Sequence, residues 1–243
     1  MAARTRARCT SICRDPPSSW PVARKTADGA KAMIPNRGSI RSDAMKTTPT
    51  HRDAMSLTLA QRDFWEEFSL HPEEPHSTVA HCIEIEGDFD QDTLRAAIAR
   101  TVREADVLSL KFEPVAGERF PVQRCDPDLI PEVEVIDLRR EPDPEAAANA
   151  LMLADVEARL DLYKEPVSVQ WLIRCSETRV LWYLRGHHII LDGYGMALLE
   201  KRCAKLYAEM SGGGAAGDGF RPFADFLAED EAYRAGTQSN AIV

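Results

Sequence analysis

Val180-Leu-Trp-Tyr-Leu-Arg-Gly-His-His-Ile-Ile-Leu-Asp-Gly193 decides how this chain is read. An apolar run with the period of a buried strand ends in two adjacent histidines. Three apolar residues follow, then Asp192-Gly193, then a helical pattern. Two histidines and an Asp-Gly pair at fixed spacing arise by accident in roughly one chain of this size in a thousand. Just upstream, Val167 to Arg174 reads as a second strand. The turn Ser176-Glu177-Thr178 joins it to a strand over Arg179 to His187.

Several readings of the histidine pair compete. Neighbouring residues on a strand point to opposite faces, which disfavours one metal ion shared by His187 and His188. Helical metal-binding histidines stand at i, i+4 instead. A nucleophilic triad lacks a Ser or Cys in a nucleophile-elbow setting. There remain a single active histidine working between two bound substrates, and a pair of core histidines at a strand end. Asp192 lies four residues beyond His188, where its carboxylate can fix local backbone or pair with an arginine. Gly193 permits close backbone approach and a positive φ. The helix from Tyr194 turns its free N–H groups toward the histidines.

Working outward, Leu57, Ala60, Phe64, Trp65 and Phe68 fall at helical spacing. Thr78 to Glu86 alternates Val79, His81, Ile83 and Ile85 against Ala80, Cys82, Glu84 and Glu86, as a strand does. Asp90 caps a helix expected from Gln91 to about Asp106, with Leu94, Ala97, Ile98, Thr101 and Val102 inward. Short strands are expected at Val107 to Phe112, Phe120 to Arg124 and Glu132 to Leu138. Asp143-Pro144 opens a helix to about Leu160, and Tyr194 to Met210 forms another, closed by Ser211 and three glycines. A last short helix spans Phe223 to Tyr233. This irregular alternation implies a mixed α/β (α+β) lobe, a mixed sheet with helices packed on it.

Charge divides the chain. Residues 1–53 hold eleven Lys/Arg against four Asp/Glu, a net of +7, whereas the remainder carries 19 basic and 35 acidic residues, a net of −16. An acidic body repels nucleic-acid phosphates, so no nucleic-acid partner is expected. No apolar run approaches the ~20 residues of a membrane helix, so no membrane partner is expected either. Cys82, Cys125, Cys175 and Cys203 are isolated, as buried free thiols in a reducing cytoplasm would be. Cys9 and Cys13 have no second pair with which to hold zinc. Residues 1–55 read as a disordered basic leader, residues 56–236 as the folded lobe and residues 237–243 as an unstructured end.

His187-His188-x-x-x-Asp192-Gly193 resembles the signature of the chloramphenicol-acetyltransferase-like superfamily, and more narrowly of nonribosomal peptide synthetase condensation domains. Leu57-Thr-Leu-Ala-Gln-Arg-Asp-Phe-Trp65 is similar to that family's opening motif. Glu104-Ala-Asp-Val-Leu108 through Phe112 is similar to its second, and Pro222-Phe-Ala-Asp225-Phe to its fourth. Two features depart from the pattern. Ser109 stands where an arginine usually supports the active-site Asp, with Arg185 or Lys111 as substitutes. The match also ends near Tyr233, after one lobe of a two-lobed domain.

The resemblance implies amide bond formation between carrier-protein thioesters in nonribosomal peptide or siderophore biosynthesis. His188 would be the active histidine, His187 would pack, and Asp192 and Gly193 would complete the catalytic motif. No bound cofactor or metal is implied; substrates would arrive on the phosphopantetheine of partner acyl or peptidyl carrier proteins. The partners would be those carriers and a second condensation lobe, absent from this chain. Two alternatives stay open: a single-lobe acyl-CoA-dependent O-acetyltransferase, and a non-catalytic truncated fragment that docks carrier proteins.

Overall fold

The computed structural model describes residues 6–12, 54–72, 74–75 and 77–240. Its centre is a strand that the sequence makes apolar on both faces. This strand, Arg179–His187, is buried at every position from Val180 to His187. It needs cover on each side, and the neighbouring elements supply it.

The elements follow in chain order: β1 (Arg6–Ile12), β2 (Met55–Ser56), α1 (Leu59–Leu70), β3 (Thr78–Glu86), α2 (Gln91–Glu104), β4 (Leu110–Glu113), β5 (Val122–Cys125), β6 (Val133–Asp137), α3 (Pro144–Val156), β7 (Ser168–Arg174), β8 (Arg179–His187), α4 (Gly193–Met210) and α5 (Phe223–Asn240). One sheet runs β1-β3-β8-β7-β6, and a small one runs β2-β5-β4. All pairings are antiparallel except β6 with β7, so the large sheet is mixed, as expected.

Period-2 alternation sorts the side chains of β3 and β8 between two cores. Ile83, Ile85, Trp182 and Leu184 face Leu94 and Ile98 of α2 and Met196, Leu199 and Leu206 of α4. Ala80, Cys82, Leu181 and Tyr183 face Ala148 and Met152 of α3. On the first side Trp65 of α1 packs on Phe112 of β4, with ring centroids 5.6 Å apart, and this ties the small sheet to the main core. Glu104 of α2 and Arg202 of α4 are joined at 2.6 Å, which fixes how the two helices lie together. Cys82, Cys175 and Cys203 are buried free thiols and Cys125 is half-buried and free. No helix among the described residues is long and apolar enough to cross a membrane.

Several expectations are corrected. The leader is not wholly without structure: Arg6–Ile12 pairs along β3 from Glu86 to Ala80. The outer edge of β3 offers a row of open backbone groups, and the register sets Arg6 opposite Glu86 and Arg8 opposite Glu84. Residues 13–53, the bulk of the expected leader, lie outside the described residues. The segment expected as a strand from Val107 begins instead as a 3-10 turn over Asp106–Ser109, because Ala105 and Asp106 carbonyls accept from Leu108 N–H and Ser109 Oγ. Helix α3 stops at Val156 rather than Leu160, and Leu160 and Leu162 return to the core from the following loop. Helix α5 continues through residues 237–240, past its expected end and into the stretch expected to be unstructured; residues 241–243 lie outside the description.

Candidate active site at the end of strand β8

Strand β8 delivers His187 at its last position, opposite Thr78 of β3. The side chain is buried, and its Nδ1 accepts the Ile189 N–H at 3.1 Å. That bond leaves the neutral ring's proton on Nε2. The His187 carbonyl accepts from Ile190 N–H at 3.0 Å and from Leu191 N–H at 3.3 Å. His187 therefore closes the turn that leaves the sheet.

His188 points the other way. Its N–H donates to the Ser77 carbonyl at 2.7 Å, and its half-buried ring stacks on Phe64 of α1 at 5.4 Å between centroids and 9° between planes. One residue on, the Ile189 carbonyl accepts from Gln61 Nε2 at 3.1 Å, and Gln61 is itself paired with Gln123 of β5 at 2.8 Å. Helix α1 thus grips the turn by a ring and by an amide. The two histidines do not converge, and no group of three or more potential metal ligands occurs among the described residues.

Asp192 is the N-cap of α4, and its Oδ1 accepts the Gly195 N–H at 2.7 Å. Its charge sits where the helix dipole favours an anion. The expected arginine partner is corrected: Arg185 is held by Asp155 of α3 at 2.8 Å, and Lys111 sits 3.6 Å from Glu113. Ser109, at the usual arginine position, is buried and bonds within its own turn at 2.8 Å.

Gly193 is also corrected. It opens α4 with helical backbone rather than positive φ, and a Cβ there would meet nothing within 4 Å. The tight glycine is Gly195, whose added Cβ would lie 2.6 Å from Leu191 Cδ1. The site therefore joins a half-buried imidazole, through the buried residues Ile189, Ile190 and Leu191, to the N-terminus of α4, where a Cβ on Gly193 would meet nothing within 4 Å. Such a site can take a proton at one point and favour negative charge at another.

Phe64, Gln61, Ser77 and Gly195 were not singled out as site residues by the sequence. Phe64 and Gln61 lie in the opening motif, and Thr58 with Gln61 forms a capping box whose spacing was readable. Ser77 carries no sequence signal.

Fold and site define a mixed-sheet lobe with a histidine motif at a strand end. The condensation domain profile matches residues 51–241, and this chain belongs to the condensation domain family. It is 33% identical over 197 residues to the isonitrile lipopeptide synthase of Streptomyces coeruleorubidus, covering 81% of this chain and 13% of that protein. It is 35% identical over 184 residues to the enterobactin synthase component F of Shigella flexneri, covering 74% of this chain and 14% of that one. A solved starter condensation domain of the rhizomide synthetase RzmA, a mutant in complex with C8-CoA, superposes with a TM-score of 0.69 at 31% identity, covering 76% of this chain and 43% of that one. VibH, a condensation enzyme of nonribosomal peptide synthesis, superposes with a TM-score of 0.65 at 31% identity, covering 73% of this chain and 40% of that one. The chain thus spans about a seventh of the curated relatives and under half of the solved neighbours.

Proposed function

We propose that this lobe supplies the histidine side of a condensation site that forms an amide between two carrier-bound thioesters. The observation that carries the reading is His188, held by backbone and ring five residues before the start of α4. The second wall of the channel comes from the remainder of a condensation domain. The substrates arrive on phosphopantetheine arms of acyl or peptidyl carrier proteins, so the site needs no resident cofactor.

An α-amine has a pKa near ~7.7–8.0, so part of it is already neutral at pH 7 and can attack the thioester carbonyl. The adduct then carries an ammonium and an oxyanion. Neutral His188 takes the ammonium proton, a step worth about 10²–10⁴-fold. The adduct collapses as the thiolate leaves, and the thiolate recovers a proton. The N–H groups at Gly193 and Tyr194 favour the oxyanion. Asp192, spent on capping α4, holds the helix start in place and takes no proton. Holding two tethered substrates together contributes as much again or more. The buried thiols of Cys82, Cys175 and Cys203 support a reducing, cytoplasmic setting.

The test is a mass-spectrometric assay with carrier-bound acyl and aminoacyl thioesters, the chain being completed by the second lobe of a related condensation domain. Amide product is expected, lost in His188→Ala and retained in His187→Ala at a temperature where that variant is folded. Undiminished product from His188→Ala would overturn the reading. A trimer that acetylates a small alcohol from acetyl-CoA would replace it with the single-lobe alternative.

A further inference from the structure

We infer that Ser77 and Glu67 are positioning residues for His188, an inference that deepens the condensation reading and rests on it for its functional consequence. Ser77 is the one non-glycine residue with positive φ among the described residues, at 57°. That region is disfavoured for an L side chain, and such residues persist where their surroundings hold them. Here two contacts do so. The Ser77 carbonyl accepts the His188 N–H at 2.7 Å, and Ser77 Oγ donates to Glu67 Oε2.

Glu67 lies three residues beyond Phe64 on α1, so the two side chains share one helix face. Phe64 stacks on the His188 ring, while Glu67 acts through Ser77 on the His188 backbone. A single turn of α1 therefore fixes both ends of the histidine. Ser77 is followed at once by Thr78, which pairs with His187, so the left-handed residue stands where the β3–β8 ladder gives way to the motif turn. If the Glu67 contact is lost, Ser77 is free to relax to ordinary φ. Its carbonyl then swings away, and the His188 peptide loses its anchor. An imidazole misplaced by about 1 Å costs up to about 10²-fold in rate.

The direct readout is the His188 imidazole Cε1–H resonance in the full chain, one of six histidines, assigned by its disappearance in His188→Gln. Stacking on Phe64 shifts this resonance by the ring current, so Phe64→Ala gives the unstacked position. Glu67→Ala and Ser77→Ala are expected to move it toward that position, while Glu67→Gln, which keeps an acceptor oxygen, largely restores it. In the completed domain Glu67→Ala is expected to lower kcat about 10-fold with KM little changed. A His188 resonance unmoved by Glu67→Ala, or equally displaced in Glu67→Gln and Glu67→Ala, would overturn the inference. Should Ser77→Ala fail to fold, the two Glu67 variants still decide it. If His188→Ala keeps full turnover, the functional reading fails, and the resonance still reports separately on positioning.

Discussion

Phe64 and His188 lie ring on ring, 5.4 Å apart and 9° from parallel, and through this stack helix α1 sets the plane of the imidazole. The ring edges, which carry both nitrogens, are left to point sideways from the stack. Phe64→Leu keeps apolar bulk but not the flat surface. It is expected to lower kcat for amide formation about 10-fold in the completed domain, with a melting temperature within a few degrees of wild type. Steady-state kinetics beside a thermal melt check both halves.

Gly193→Ala separates stability from turnover. A Cβ there meets nothing within 4 Å, and the backbone is already helical. Removing glycine's extra freedom in the unfolded chain should stabilise the fold by about 0.4–1 kcal/mol. The added methyl would occupy the open space beside the helix start, where the oxyanion is proposed to form. Denaturant unfolding should show the gain and the condensation assay a loss.

Asp192→Ala removes the cap from α4 and should cost about 1 kcal/mol, whereas Asp192→Asn keeps an acceptor for Gly195 N–H and should cost less. If both variants retain their melting temperature while turnover falls, Asp192 has a chemical role beyond capping.

Much of this arrangement was legible in the sequence, for identifiable reasons. Strand β8 is apolar from Val180 to Leu184 because it is covered on both faces, and the alternation of Val79, His81, Ile83 and Ile85 against Ala80 and Cys82 separates the two cores. His187 ends the strand and His188 falls in the turn, so their rings meet different partners. What escaped the sequence depends on contacts distant along the chain. Phe64 is an ordinary inward residue of an amphipathic helix until α1 is laid against residue 188. Ser77 is one serine in a loop, and only its φ and two partners mark it. Arg185 looked available to Asp192, but a single-residue step along a strand reverses the face, and Asp155 of α3 waits on the side it takes. β1 has no apolar pattern, and its place is defined by backbone pairing with β3.

The Glu104–Arg202 contact joining α2 to α4 makes the fold acid-sensitive. The Arg202 hydrogen bond holds the Glu104 carboxyl below its ordinary value, against a smaller opposing effect of burial. A carboxyl depressed in the folded state stabilises above its unfolded pKa, and that share is lost as pH falls through the lower folded value. Glu104→Gln should cost about 3 kcal/mol at pH 7, because Arg202 is left buried with its charge less well matched. The deficit relative to wild type should shrink as pH drops below the usual carboxylate range. Urea unfolding at pH 7 and at pH 3 tests magnitude and sign together.

Leu59, Tyr194 and Leu198 are exposed large hydrophobics at the start of α1 and the first turns of α4, on either side of the histidine turn. By itself the chain should self-associate through this region and form no amide from carrier-bound substrates. Light scattering across a dilution series checks the first expectation, and Tyr194→Lys should reduce the effect. A concentration-independent monomer that makes product would refute both.

The pairing of β1 with β3 covers a margin of the large sheet. Without Arg6–Ile12, the backbone donors and acceptors along the outer side of β3 would lack these partners. A bare strand of that length invites a neighbouring copy to zip onto it. The seven residues of β1 thus stand between a sheet that seals its own margin and one that recruits a second molecule to do so.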